Sequence, residues 1–320
     1  MIYRYSWVIS LNFYKNSMNN MRIVIFLVLC AMVAVSSVDV FAQVDNQQFS
    51  IPGPSELSLI KMKGESGTTY VGTIIERSDK EITILTDANT KIQILLVNIQ
   101  DIRAIPKSQI HNGEYWYPNP NETRYLYAPS AFNLKKGEGY YQNTYLFINT
   151  FNYGITDNIS MGIGFEFFST FASLGASDFD PIYFLTPKYS MQVAENVRVG
   201  VGVLYGKISD DIGGFGVGYG LVTYGNPEHN ATLGLGFGFF DGNFSSDPVI
   251  TLSGMTRLSR RISLVTENWF FPADVYRGLI SYGIRFFGET MSVDLALVNN
   301  EEFSDVFPIG IHYVDFVVKF

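Results

Sequence analysis

The sequence predicts an all-β chain: a transmembrane antiparallel β-barrel of about twelve strands, preceded by a small β domain. Three observations predict it. The closing stretch, Ile309 to Phe320, alternates with period two. It places Val314, Phe316, Val318 and Phe320 on one wholly apolar face, and Tyr313, Asp315, Val317 and Lys319 on the other. Upstream, segments of about ten residues, the length a tilted membrane strand needs, set bulky apolar side chains against small ones. Met161, Ile163, Phe165 and Phe167 oppose Ser160, Gly162, Gly164 and Glu166; Leu233, Leu235, Phe237 and Phe239 oppose Thr232, Gly234, Gly236 and Gly238. A soluble sandwich carries Lys, Glu and Thr on its exposed face rather than glycine. Finally, tight links alternate with longer ones, as barrels alternate short turns with outer loops.

Composition agrees with that class. Aromatic residues are 15% of the 320 and charged residues only 16%, against a usual quarter for charge. Beyond the N-terminus no apolar run reaches the roughly 18 residues of a membrane helix. The N-terminus itself has the order of a secretory signal: Arg22, the apolar run Ile23 to Val35, then Val40-Phe41-Ala42 before Gln43. Cleavage is expected after Ala42, with residues 1–20 an upstream extension and Met18 or Met21 the start. An uncleaved single-span anchor is the alternative. Cys30, the single cysteine, lies inside the apolar run behind Leu29, where a lipoprotein signal needs a small residue. The chain after Ala42 therefore offers no disulfide or thiol chemistry. Without Arg4, Lys15, Arg22 and Asp39 it keeps 19 basic and 29 acidic residues, a balance of −10. That balance argues against nucleic acid as a partner.

Residues 54–110 have a different texture. Glu56–Lys61, Thr69–Ile75, Glu81–Thr86, Lys91–Val97 and Ile99–Ile105 read as short strands, separated by the turn compositions at 64–67, 78–80 and 87–90. The pattern resembles a small SH3-like or Sm-like barrel, which implies a periplasmic adaptor, a plug-like accessory or a purely structural unit. Its charges are mixed in sign, with no basic stripe for RNA. Residues 111–120 follow as a linker, in which Pro and Asn break regular structure. Tyr115, Trp116 and Tyr117 suit either a membrane interface or packing on the small domain.

The barrel is expected over residues 121–320. Its clearest strands are Ile159–Phe168, Val197–Lys207, Ala231–Phe240, Val249–Leu258, Leu279–Phe287 and Met291–Asn299. Tight links are expected at 154–158, 194–196, 225–230, 259–261 and 288–290. Longer outer links are expected at 169–180, 208–213, 241–247, 272–278 and 300–308. This gives eleven strands from Tyr140 onward, the first descending from outside. A chain arriving from the periplasm must cross once before it, so Thr123–Phe132 is assigned that crossing and Asn133–Gly139 an outer loop. Pro129 sits poorly in a strand. About ten or about fourteen strands fit as alternatives.

The final strand resembles the C-terminal strand of bacterial outer-membrane barrels, whose alternating apolar residues and terminal Phe are read by the barrel assembly machinery. Val314, Phe316, Val318 and Phe320 are the residues this implies for that signal. The run Asn119-Pro-Asn-Glu-Thr-Arg-Tyr125, the segment Lys136-Gly-Glu-Gly-Tyr-Tyr-Gln-Asn143 and the turn Gly154-Ile-Thr-Asp-Asn158 resemble outer-membrane barrels of the Bacteroidetes type. That resemblance spans residues 54–320. It implies the outer membrane of a Gram-negative cell with the small domain periplasmic, and no particular activity.

Inward faces are expected to hold Glu166, Lys188, Arg198, Arg257, Glu267, Arg285, Asp294, Asp315 and Lys319. In a narrow lumen groups of opposite sign pair, because an unpaired buried charge is costly. Two uses fit: a constriction that filters small polar solutes, or an internal salt-bridge plug that holds the wall together. The function expected is a non-enzymatic, porin-like channel or transport protein. A closed scaffolding barrel, whose small domain binds a periplasmic partner, is the competing class.

Some outer-membrane barrels are phospholipases with a Ser/His pair, which makes a lipase or deacylase the third class. Catalysis of that kind needs a base beside its nucleophile. His111, His229 and His312 fall in the linker, in a turn and on the apolar face of the last strand. Gly200-Val-Gly202 and Gly216-Val-Gly218-Tyr-Gly220 recur at strand period with no helix after them, and read as barrel interior rather than a nucleotide loop. No cofactor or metal site is expected.

Overall fold

The computed structural model describes residues 50–64, 68–173, 181–208, 213–271, 278–301, 304 and 307–320. The signal expected at 1–42 and parts of the longer outer links lie outside the described residues. The chain divides into two compact units, one ending at Pro118 and one running from Asn119 to Phe320.

The smaller unit is an antiparallel sheet of β1 (Leu57–Met62), β2 (Thr69–Arg77), β3 (Glu81–Leu85), β4 (Lys91–Leu95) and β5 (Ile99–Ala104), in the order β4-β3-β2-β1-β5. The first four strands form a meander. A 3-10 turn at Leu96–Asn98 then returns β5 to β1, with Ile60 opposite Ile102. Ile60, Ile74, Ile82, Ile84, Ile94, Ile99 and Ile102 form its core, a set of β-branched residues suited to a pleated, half-buried surface. Part of the expected linker is ordered otherwise. β6 (Ile110–His111) and β7 (Glu114–Tyr115) make a small hairpin about Asn112-Gly113, at φ 53° and 78°. Trp116 lies 4.3 Å from the His111 ring, and Arg103 Nη2 donates to the Tyr115 hydroxyl at 3.4 Å. These rings therefore have partners within their own unit.

The larger unit is a closed antiparallel barrel. Its wall comprises β8 (Gly139–Thr144), β9 (Ile148–Gly154), β10 (Ile159–Glu166), β11 (Tyr183–Leu185), β12 (Lys188–Ala194), β13 (Val197–Lys207) and β14 (Gly214–Gly225). It continues with β15 (His229–Phe240), β16 (Asn243–Ser259), β17 (Ile262–Phe270), β18 (Leu279–Phe287), β19 (Met291–Asn299) and β20 (Ile311–Lys319). β11 and β12 are one wall strand, both pairing with β10 and β13. The break falls at Thr186-Pro187, where proline has no N–H for the ladder. β20 pairs with β8 and closes a ring of twelve wall strands.

The faces are those of a barrel in hydrocarbon. Val201, Leu233, Leu235, Leu252 and Val314 point outward and are exposed, while Ser253, Glu267, Arg285, Asp294 and Asp315 point inward and are buried. Closure gives every wall strand a neighbour on both sides, as a lipid surround demands. Outward rings of Tyr183, Tyr205, Phe239 and Phe244 follow one another at 6.5, 6.4 and 5.3 Å near the long-link rim. Tyr153, Tyr224, Phe286 and Phe320 are exposed near the tight-turn rim. An apolar belt between two aromatic bands is the girdle pattern of membrane barrels.

Six expectations need correction. Thr123–Phe132 is not a wall strand. The count of twelve is reached instead because the stretch from Tyr140, expected to descend as one strand, is the hairpin β8–β9. Its turn places Tyr145 and Leu146 at φ 54° and 67°, at a cost of roughly 1–2 kcal/mol for each such residue. Asn133–Gly139 lies at the tight-turn rim rather than outside: Gly137 N–H bonds the Gly154 carbonyl at 3.0 Å, and Gly139 exchanges backbone bonds of 2.9 and 2.8 Å with Phe320. The link expected at 241–247 is only the turn Asp241-Gly242 (φ 47° and 78°), so that β16 extends to 17 residues. Phe167 and Phe168 leave β10 to open a helix, α1 (Phe167–Ser173). Gly216, Gly218 and Gly220 face outward, on the side of Tyr205 and Phe239.

Candidate functional site

Residues 119–134 enter the barrel at the tight-turn rim and return to it. Asn119 Nδ2 donates to the Pro227 carbonyl at 2.8 Å, and its N–H reaches Glu228 at 3.2 Å, both in the β14–β15 turn. At the other end Asn133 Oδ1 accepts from Ser160 Oγ at 2.8 Å. Between these anchors the chain doubles back, with Tyr125 N–H on the Ala128 carbonyl (2.9 Å) and Ser130 N–H on the Thr123 carbonyl (3.0 Å). Pro120 precedes this fold-back and Pro129 lies within it, bridged to Arg124, and the two remove two donors a wall strand would need. Tyr125, Leu126, Ala128, Ala131, Phe132 and Leu134 are all buried, which only the surrounding wall can accomplish. The segment is an internal plug.

The lumen charges meet on it. Arg285 is fully buried and forks onto Asp294, Nε to Oδ1 at 2.7 Å and Nη2 to Oδ2 at 2.8 Å. Its remaining donors reach plug carbonyls, Nη1 to Asn121 at 3.0 Å and Nη2 to Tyr125 at 2.5 Å. From the plug side Arg124 Nη1 reaches Asp315 at 2.9 Å and Asp294 at 3.3 Å, so two buried arginines face two buried aspartates. Tyr313 and Gln142 complete Asp315, at 2.7 and 2.8 Å.

Glu267 has no cation in this set. Its Oε2 accepts the N–H groups of Leu126, Tyr127 and Ala128, each at 2.8 Å, and its Oε1 accepts Trp269 Nε1 at 2.8 Å. Lys188 donates to the carbonyls of Ser130 (3.0 Å) and Phe132 (2.6 Å). A polar seam of Tyr125, Thr232 and Thr223 runs along the far wall at 2.6 Å per step, and Asn121 bonds Ser292. Near the rim, burial pushes the Glu122 carboxyl above its ordinary range, with Lys319 the largest opposing charge.

Five of the nine expected lumen charges thus come together: Lys188, Glu267, Arg285, Asp294 and Asp315. The other four stand apart. Glu166 accepts the Phe168 and Ser169 N–H groups at 2.9 and 2.6 Å, capping α1. Arg198 bonds Gln192 at 3.1 Å and lies 5.2 Å over the Phe132 ring. Arg257 pairs with Glu228 at 2.8 Å and covers Phe287 at 4.6 Å, and Lys319 pairs with Glu138 at 3.3 Å, both at the tight-turn rim. Arg124, the cation that joins both aspartates, was hidden inside the segment assigned as a strand. The two flanking prolines were the available signal.

Nothing in this set resembles a nucleophile with its base. The His229 ring meets Thr256 Oγ1 at 2.8 Å on the outward face. Among the described residues no His, Cys, Asp and Glu group is arranged to hold a metal.

No family model matches this sequence, and no curated protein matches it. Among solved structures the chain is similar to the KdgM porin at 6% identity, covering 57% of this chain and 95% of that one, with a TM-score of 0.39. The NanC porin gives 7% identity, coverage of 57% and 97%, and 0.36. A Salmonella typhi OmpF complex with daunomycin gives 10% identity, coverage of 82% and 95%, and 0.31.

Proposed function

We propose that this protein is an outer-membrane channel for small polar solutes, closed at rest by the plug at residues 119–134. The carrying observation is how the charges are shared. Arg285 and Asp294 bond each other within the wall, so they stay paired when the plug leaves, whereas Arg124 leaves with it. Departure would expose Lys188, Glu267, Asp315 and the Arg285–Asp294 pair on the inner wall, a charged lining of the kind that selects solutes. Arg198, Arg257 and Lys319 would shape the approach at the periplasmic rim, and Glu166 the outer one.

In the same reading the host is a Gram-negative cell and residues 1–42 are the signal with its upstream extension. Val314, Phe316, Val318 and Phe320 are the face offered to the assembly machinery, and the smaller unit is an SH3-like periplasmic domain. Its meander with a returning fifth strand supports the last assignment.

A second reading, a permanently closed scaffold whose small domain binds a periplasmic partner, is favoured by one observation: the plug satisfies Glu267 with three backbone donors. Swelling of proteoliposomes in neutral sugars and small organic acids separates the two. Slow swelling by the native chain, accelerated by Arg124→Ala or Glu267→Gln, supports the channel. Folded barrels, verified by heat-modifiable gel mobility, that never swell vesicles in any of these forms support the scaffold.

A further inference from the structure

The wall is not of equal height all round. The β20–β8 ladder runs only from Asp315↔Thr144 to Lys319↔Tyr140, five of the nine residues of β20. Ile311 to Val314 continue upward beside β19, and among the described residues no strand stands on their other side. The hairpin turn stands there instead. Tyr145 gives its N–H to the Val314 carbonyl at 3.1 Å and its hydroxyl to the His312 carbonyl at 2.8 Å, so a side chain answers a group that a strand would have answered. Across the turn, β10 ends at Glu166 opposite Ile148 and passes into α1.

This low sector is aromatic within and apolar without. The buried Tyr313 ring meets Tyr127 of the plug edge-on at 4.9 Å, and Tyr145 of the turn edge-on at 5.6 Å. Tyr127 is 48% exposed although Tyr125, Leu126 and Ala128 beside it are buried, so the plug offers one open ring to the upper lumen. On the outer side Leu146, Phe147 and Phe168 are exposed, the last two with rings 5.3 Å apart. Edge-to-face rings at these spacings accept a further ring in the same geometry. Tyr145 and Leu146, two bulky residues held at positive φ, are what stop the hairpin short. Backbone held in such regions concentrates at functional sites.

We propose that this sector is a lateral passage for an uncharged, ring-bearing small molecule. The molecule rests on Tyr127, Tyr313 and Tyr145 above the plug, and exchanges sideways with the bilayer past Leu146 and Phe147. The passage does not require the axial conduction proposed above, because it lies on the outer side of the plug.

The chain from Gln43 onward has no cysteine, so single cysteines can carry a bimane label in vesicles of lipid brominated at mid-chain. Leu235→Cys on the outer wall is quenched by the lipid and Leu204→Cys on the far inner wall is not; Tyr127→Cys, although inside the barrel, is quenched. Naphthalene binding to the unlabelled protein in plain lipid, read by its own fluorescence, weakens about tenfold in Tyr127→Ala, the upper end of an aromatic pair, and is unchanged in Tyr127→Phe. Heat-modifiable mobility verifies folding of each variant. A label at 127 as dark to the lipid as one at 204 overturns the passage. So does naphthalene that partitions equally into vesicles with and without the protein, or that binds Tyr127→Ala as well as the native chain.

Discussion

Two sides of the same barrel solve closure differently. From β13 to β16 the strands run 11, 12, 12 and 17 residues, and consecutive ladders between β13, β14 and β15 are unbroken over about their whole length. At β8 and β9 they run 6 and 7. The tall side is held by its own hydrogen bonds and by rings seated over glycines. The low side is held from within: Gln142, Tyr313 and Asp315, on β8 and β20, all converge on the plug through Arg124 and the Leu126 carbonyl. A wall too short to bury its own polar groups needs a partner inside, and the plug is that partner.

The sharpest way to break this contrast is to cut the network. Arg285→Ala leaves Asp294 buried beside a single arginine, and removing one member of a buried pair costs about 3–5 kcal/mol. Urea titration of refolded protein checks that loss, and limited proteolysis should cut the β8–β9 hairpin before any tall strand. A double-mutant cycle with Asp294→Ala should show coupling, whereas additive losses would mean the pair is not formed. The tall side is tested through its glycines. A Cβ at Gly206 would meet the Phe215 ring at 2.6 Å, whereas at Gly218 it meets nothing within 4 Å. Gly206→Ala should cost about 1–3 kcal/mol and Gly218→Ala within about 0.5 kcal/mol, by the same titration; equal losses would contradict the seating of the ring. The smallest effect is at the base of the low side. Lys319→Ala removes a 3.3 Å pair with Glu138 whose side chains are partly exposed. It should cost under about 1 kcal/mol, and the difference should vanish in high salt.

Much of the wall away from β8 and β9 was legible in the sequence. β13, β18 and β19 begin and end where the alternation begins and ends, because a half-lipid, half-lumen strand has no freedom to slip register. The faces of β20 are those that period two assigns, Tyr313, Asp315 and Val317 buried and Val314 exposed. The β8–β9 hairpin and the plug were not legible, for two physical reasons. Its hairpin turn carries Tyr145 and Leu146 rather than the Gly or Asn that marks a left-handed turn, so β8 and β9 fuse into one apparent strand. The plug alternates Tyr125-Leu126-Tyr127-Ala128 as a strand would, and only tertiary bonds to Glu267 and Arg285 reveal it as a loop. The Asp241-Gly242 turn was visible as a hairpin signal. Ser245, Ser246 and Pro248, which suggest a loop, obscured it. Of the expected charges, those opposite the plug were placed together by their inward parity alone, while Arg124 required knowing what the lumen contains.

The most direct test of the plug is amide hydrogen exchange at Leu126, Tyr127 and Ala128 in the refolded native chain and in Glu267→Gln. If these three amides are held on a buried carboxylate, they exchange orders of magnitude more slowly than free peptide, and the substitution speeds all three together while tall-wall strands keep their protection. Exchange at free-peptide rates in the native chain would place the segment outside the lumen and contradict the account.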